Sequence, residues 1–538
     1  MLGAVGMSGN CELAGRKVNL DRRWDVIIIG GGITGAAIFR LAAHAGLHTL
    51  LLEQADFAAG TSSRSSKLVH GGLRYLRNAQ IRLTFESVRQ RQRLLEAGRG
   101  LVRPLPFLLP NFGGDRPPAW VFGAGLVLYD LFALSWQHRH YQPEALIQLC
   151  PPLKGTGLLG GYRFFDAQAD DARMVLRLVH EGVMAGGRAV NYTRVTGLLR
   201  RRSGAVAGVR ALDLEAHPGS AEWELEAPLV INATGAWADE LRAGLSKPPR
   251  LRQLRGSHLV FPANRLPLGR AVTALHPADR RPVFFIPWEG VTLLGTTDLD
   301  SGLPVPQDPA ITADEAMYLL RVAQHLFPAL GLTMDDVQAT YSGMRAVVNT
   351  GQANPSRESR EHAIWLEDGL LTVTGGKLTT FDLMARSAMR HVLRLFSESA
   401  RTQDLPPFDP PVPPSGVAGL PPALLARLAG RHGTQASALL RAAGEGELNF
   451  VGDTPTLWAE LRWGARSEWV VHLEDLMLRR TRLGLLLADG GRSHLDPIGA
   501  IARAELGWSM DQWRAETKRY LELWGSSYAP PGRLARQM

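Results

Sequence analysis

Cysteine is almost absent: Cys11 and Cys150 are the only two in 538 residues. Far apart and in no CxxC pair, they cannot build a disulfide framework or a zinc site, so no metal centre is expected and the chain suits a reducing compartment. Lysine is nearly as scarce. Six of the 60 basic residues are lysine (Lys17, Lys67, Lys154, Lys247, Lys377 and Lys518) and the other 54 are arginine. Beside abundant Ala, Gly and Pro, that bias points to codon composition rather than a nucleic-acid surface, and no patch of interleaved basic and aromatic residues stands out. Also missing is any uninterrupted apolar run of about 18 residues, the length of a spanning helix. The first twenty residues lack the apolar segment of a secretory signal. These absences predict a cytoplasmic protein with no nucleic-acid partner.

What is present is an ordinary globular composition, 45% hydrophobic and 21% charged, in a chain long enough for two to four domains. The formal net charge is +9. Nucleic acid, an anionic membrane face or a phosphorylated substrate would each account for it.

Residues 1–22 carry little periodicity and read as a loose tail. Behind them Trp24 to Ile29 form a short apolar run that ends in Gly30-Gly31-Gly32-Ile33-Thr34-Gly35, followed by apolar residues at helical spacing and a second apolar run, Leu47 to Leu52, ending in Glu53. This order predicts a Rossmann βαβ unit. Gly30 permits the tight turn, Gly32 admits a pyrophosphate to the helix N-terminus and Gly35 allows close helix–strand packing. Glu53 is placed to accept hydrogen bonds from a ribose 2′-hydroxyl, which disfavours NADP.

The next segment, Thr61-Ser62-Ser63-Arg64-Ser65-Ser66-Lys67-Leu68-Val69-His70-Gly71-Gly72-Leu73-Arg74-Tyr75-Leu76, closely resembles the FAD-dependent glycerol-3-phosphate dehydrogenases, the aerobic respiratory enzymes that oxidise glycerol 3-phosphate to dihydroxyacetone phosphate. The likeness continues through Asp170-Asp171-Ala172-Arg173, Asn232-Ala233-Thr234-Gly235-Ala236-Trp237, Arg255-Gly256-Ser257-His258, Tyr341-Ser342-Gly343-Met344-Arg345, Thr374-Gly375-Gly376-Lys377-Leu378-Thr379 and Asp475-Leu476-Met477-Leu478-Arg479-Arg480-Thr481. Two segments depart from it: Met344-Arg345-Ala346-Val347 stands where many relatives have Val-Arg-Pro-Leu, and Ala236 where proline is frequent.

The resemblance implies FAD as cofactor, contacted by Gly30, Gly32, Gly35, Glu53, Thr61, Ser62, Ser66, Lys67, His70, Gly71, Gly72, Gly235, Trp237, Gly375, Gly376, Lys377 and Thr379. For the substrate dianion it implies Arg74, Tyr75, His258, Arg345, Arg360 and Lys377, since planar guanidinium forks suit phosphate. His258 is the expected general base, with Asp279 as its orienter and His70 as the competitor. A helix opening at Lys377 would stabilise charge at the flavin's pyrimidine end. The further implications are reoxidation by membrane quinone, peripheral attachment to the anionic inner face of the cell membrane, and a homodimer. A glycerol-3-phosphate oxidase using O₂ and a flavin-dependent tRNA-modifying or RNA-binding protein stay open as alternatives.

The expected fold is α/β. A discontinuous Rossmann-like FAD-binding domain (23–75, 163–250 and 346–395) carries an α+β substrate domain (76–162 and 251–345), as in D-amino-acid-oxidase-like flavoproteins. Residues 396–422, dense in proline, read as a linker to a helical domain at 423–538, whose first helix Gly430 is placed to close. Glu468 to Leu487 and Trp508 to Trp524 show helical spacing. The apolar stretch Trp120 to Trp136 is taken as a buried core helix in preference to an interfacial one.

Overall fold

The computed structural model describes residues 20–72, 81–115, 118–216, 221–302, 304–352, 358, 361–396, 404–414 and 419–532. Nearly all of the expected N-terminal tail lies outside them.

A six-stranded sheet forms the base of the cofactor region. Its order is His362–Glu367, Leu370–Gly375, Leu229–Asn232, Val26–Ile29, Thr49–Leu52, Arg188–Val190, parallel except for the first, edge strand. Successive side chains of a strand point to opposite faces. Val26 and Ile28 therefore pack with helices Ile33–His44, Asp171–Met184 and Phe381–Leu395, whereas Ile27 and Ile29 face a small antiparallel sheet of Thr193–Arg200, Val206–Asp213 and Trp223–Glu226. Burial on both faces explains why these strands read as continuous apolar runs without alternation.

A further sheet has ten strands. Its long members are Val102–Phe112, Leu158–Ala169, Leu251–Pro262 and Ala339–Val348. One face, through Leu259, Phe261 and Leu294, packs on helix Ala313–Leu326, which a Thr312–Glu315 capping box starts. The other face, through Val260, Ile286 and Leu293, packs on the C-terminal helices. Leu68–Val69 also pairs into this sheet, and the boundary expected at residue 163 falls inside strand Leu158–Ala169.

Three expectations need correction. The proline-dense segment is a strap rather than a free linker: Phe408 is fully buried in the core of the cofactor region, and Arg40 donates to the Pro406 carbonyl at 3.0 Å and to Asp409. Gly430 does not end the first C-terminal helix, which runs from Pro422 to His432. It lets that helix touch the backbone of Gly100, where a Cβ would lie 2.4 Å from the carbonyl carbon. Glu468 to Leu487 is not one helix. Leu473–Asp475 widens into a π turn at Leu476–Arg480, Arg482 breaks the winding at φ 65°, and Leu483–Leu486 resumes it. Helical spacing alone cannot register such breaks. Here they aim three arginines at carboxylates of the cofactor region: Arg479 and Arg480 at Asp56, and Arg482 at Asp170 and Asp171.

The apolar stretch also departs from expectation. Helix Ala119–Ala133 buries Leu126 and Tyr129 but leaves Trp120, Leu131, Leu134 and Trp136 exposed, because the sheet covers only its inner side. Among the described residues no helix is long and apolar enough to cross a membrane.

Candidate active site

The glycine turn after Val26–Ile29 sets the first wall. Gly30 sits at φ +108°, and a Cβ on Gly35 would fall 1.9 Å from the Gly30 carbonyl oxygen, so the helix can seat this close to the strand only with glycine at both places. Glu53, at the end of the neighbouring strand, accepts from the backbone N–H groups of Gly31 at 2.7 Å and Ala55 at 2.9 Å. Burial pulls its proton affinity up, against those donors. Ser62 accepts from the Ile33 N–H at 2.9 Å, so the serine-rich loop closes over the helix start.

These groups open onto a cavity of about 980 Å³, within the range for a large cofactor. Gly30, Gly32, Glu53, Thr61, Ser62, Ser66, His70, Gly72, Gly235, Trp237, Gly375, Gly376, Lys377 and Thr379 all border it. So does Arg345. Its guanidinium donates to Asp298 and to Thr296, each at 3.1 Å, which fixes the fork against the wall. Lys377 reaches Ser87 at 3.4 Å and precedes the short Leu378–Thr380 turn that leads into helix Phe381–Leu395. The Thr379 hydroxyl accepts from the His70 N–H at 3.1 Å, tying this corner to the serine-rich segment. Phe107, Leu109, Phe122, Leu128, Phe164 and Phe284 make part of the lining apolar. A cavity of this volume, lined by the start of helix Ile33–His44 and by the Glu53 carboxylate, fits an adenine dinucleotide.

Several expected residues stand elsewhere. Lys67 is fully buried behind the loop, bonded to both Asp171 oxygens at 2.9 Å and stacked 4.9 Å from the Tyr341 ring centre, so it holds the loop rather than the cofactor. Burial lowers its ammonium to about 8 even though Asp171 opposes the shift. Gly71 gives its N–H to Asp166 at 3.0 Å and packs under Tyr129, away from the cavity. Asp279 lies exposed on a turn, where it accepts from the Tyr318 hydroxyl at 3.1 Å; it is not the partner of His258. Arg74, Tyr75 and Arg360 fall outside the described residues.

His258 is the most informative case. It pairs with Tyr341 on one neighbouring strand and Gly295 on the other. Its ring lies parallel to Tyr341 at 4.6 Å, in space that a Cβ on Gly295 would fill. The side chain is buried beneath the cavity wall and meets it through Ser66, whose Oγ is 2.9 Å from Nε2. Burial, Arg345 and Lys67 push its proton affinity well below the ordinary histidine range. Sequence reasoning missed Tyr341, Thr296 and Asp298 as supports, although two-residue periodicity along Ala339–Val348 places Tyr341 on the same face as Gly343 and Arg345.

Comparison with known proteins places the chain in a family. Residues 25–420 match the FAD dependent oxidoreductase family and residues 371–513 the C-terminal domain of alpha-glycerophosphate oxidase. The chain is 35% identical over 395 residues to the aerobic glycerol-3-phosphate dehydrogenase of Bacillus subtilis, covering 72% of this chain and 69% of that one. To the glycerol-3-phosphate dehydrogenase of Synechocystis it is 31% identical over 541 residues, covering 93% and 96%. The crystal structure of the Bacillus halodurans glycerol-3-phosphate dehydrogenase with FAD superposes with a TM-score of 0.72 at 26% identity, covering 94% and 95% of the two chains. With the cofactor of the cavity thereby FAD, the chain belongs to the FAD-dependent glycerol-3-phosphate dehydrogenase family.

Proposed function

We propose that this protein oxidises sn-glycerol 3-phosphate to dihydroxyacetone phosphate and passes the electrons to a membrane quinone. The observation that carries the substrate reading is that two cations border the cavity: Arg345, fixed by Asp298 and Thr296, and Lys377 at the entry of the helix beyond Gly375-Gly376. Cations bordering a cofactor cavity suit a small phosphate ester. When bound, FAD supplies the two-electron acceptor for the C2 hydride. Around it, Gly375 and Gly376 admit the cofactor to the start of helix Phe381–Leu395, Arg345 and Lys377 hold the phosphate, and the Ser66–His258 pair takes the hydroxyl proton.

The quinone reading is supported by helix Ala119–Ala133. Val121, Phe122, Ala124, Gly125 and Leu128 border the cavity, and Trp120 and Leu131, one turn from Ala124 and Leu128 on the same helix, are exposed. An apolar cavity wall beside exposed apolar side chains suits a lipid-borne acceptor and attachment to a membrane surface.

The test is anaerobic addition of glycerol 3-phosphate to FAD-loaded protein, then timed reoxidation by a soluble quinone against O₂. Bleaching of the flavin band and faster reoxidation by quinone are expected. No bleaching sinks the substrate reading, and hydrogen peroxide equal to substrate consumed replaces quinone with O₂. Arg345→Met removes one charge-assisted phosphate contact, of order 1.5–3 kcal/mol, so KM is expected to rise roughly 10- to 150-fold.

A further inference from the structure

We propose that Ser66 is a catalytic residue: its hydroxyl takes the proton of the substrate alcohol while passing its own to His258. The inference rests on reading the cavity as the site of glycerol 3-phosphate oxidation.

The argument starts from where His258 is. Its side chain is 1% exposed, and it does not border the cavity, whereas Ser66 does. Tyr341 covers one face of the ring, and the ring occupies the space that a Cβ on Gly295 would fill. Of its two nitrogens, Nδ1 is buried with no hydrogen-bond partner, and Nε2 has the Ser66 hydroxyl at 2.9 Å. A substrate in the cavity therefore meets the imidazole through Ser66.

A hydroxyl suits the task because it donates and accepts at once. Alone it is a poor base; backed by a neutral imidazole it becomes a competent one. The neutral ring must carry its proton on Nδ1 and accept at Nε2. As the hydride leaves C2 with its bonding pair for the flavin, the C2 hydroxyl O–H bond breaks and its electron pair becomes the second bond of the carbonyl. That proton forms a new bond to Ser66 Oγ, and the proton already on Oγ moves to Nε2. Serine ends as it began, and the imidazole gains one positive charge.

The surroundings hold Ser66 to this position. On its N-terminal side, the Ser65 carbonyl accepts from the Tyr341 hydroxyl at 3.0 Å and the Ser65 hydroxyl donates to Asp171 at 2.7 Å. On its C-terminal side Lys67 is locked at φ 58° by Asp171 and the Ser63 carbonyl. Lys67 and Arg345 both disfavour an imidazolium in the resting site. The ring is thus kept neutral and ready to accept until the negative charge of the substrate is present.

The test uses FAD-loaded protein and anaerobic stopped-flow reduction by glycerol 3-phosphate. Ser66→Ala, measured on FAD-loaded protein at saturating glycerol 3-phosphate, is expected to lose roughly 10²- to 10⁴-fold in the rate of flavin reduction. Ser66→Thr, which restores the hydroxyl, should recover most of that loss. In the wild type, the reduction rate in H₂O/D₂O mixtures should follow a bowed curve, because two protons move together; this readout serves even where a variant fails to hold FAD. A third readout is the ¹⁵N-imidazole resonance of His258 Nε2, which should shift in Ser66→Ala without substrate. Wild-type reduction with an unimpaired Ser66→Ala, or a straight isotope plot, overturns the relay alone. Failure of the wild type to be reduced overturns the substrate reading and the relay with it.

Discussion

The C-terminal region is joined to the cofactor region by charges that water does not reach, and Asp56 is where this is most exposed to test. Its carboxylate is fully buried; it accepts from Arg480 at 2.5 and 2.7 Å, from Asn191 at 3.3 Å, and from Arg479. Asp56→Asn keeps the shape but leaves two guanidinium groups short of a counter-charge. Breaking a buried pair on one side costs about 3–5 kcal/mol. Unfolding entropy is about 2.1 cal/mol/K per residue. For 538 residues melting as one unit, that is about 1.1 kcal/mol/K, so a fall in Tm of roughly 3–5 °C follows. Thermal melts of FAD-loaded protein at fixed FAD excess would measure it. The double variant Asp56→Asn with Arg480→Met should recover part of the loss by removing one stranded cation. Melting of Asp56→Asn within about 1 °C of wild type would refute the reasoning, because the pair would then contribute nothing beyond what water supplies.

Two further outcomes follow from single positions. Gly35→Ala places a methyl 1.9 Å from the Gly30 carbonyl and must push the helix off the strand; the flavin-to-protein absorbance ratio of the purified variant should fall to about a tenth or less of wild type. His472, buried against Glu215 and Glu516, has its proton affinity pushed up to about 10 despite the opposing effect of burial. Its folded value lies above the unfolded one, so its stabilisation is complete below about pH 6.5 and fades as pH rises toward 10. Melts across pH 6–10 should show wild type losing more than His472→Gln does, and parallel curves would exclude the linkage.

The local geometry was legible where one turn constrains one residue type. Gly30, Gly35 and Glu53 announce strand, turn and carboxylate because no other side chains fit those approaches, and the apolar runs around them mark strands buried on both faces. Sidedness was not legible. Lys67 and Ser66 are adjacent in one motif, yet one faces the cavity and the other an interior carboxylate, because Lys67 adopts a left-handed backbone that nothing in its neighbours announces. Asp279 is close to His258 in sequence terms only. The pairing of Asp56 with Arg479 and Arg480 spans more than 400 residues, and Asp170 meets Arg431 and Arg482 from about 260 and 310 residues away. Among 54 arginines no spacing singles those out. The π turn that carries Arg479 and Arg480 keeps an apolar helical pattern, which conceals the change of winding.

The helix Ala119–Ala133 has a bearing on how electrons leave the molecule. Its cavity-lining residues Ala124 and Leu128 are surface neighbours, one turn away, of the exposed Trp120 and Leu131. The lipid-borne acceptor proposed above, resting against Trp120 and Leu131, would stand one helical turn from the cavity lining.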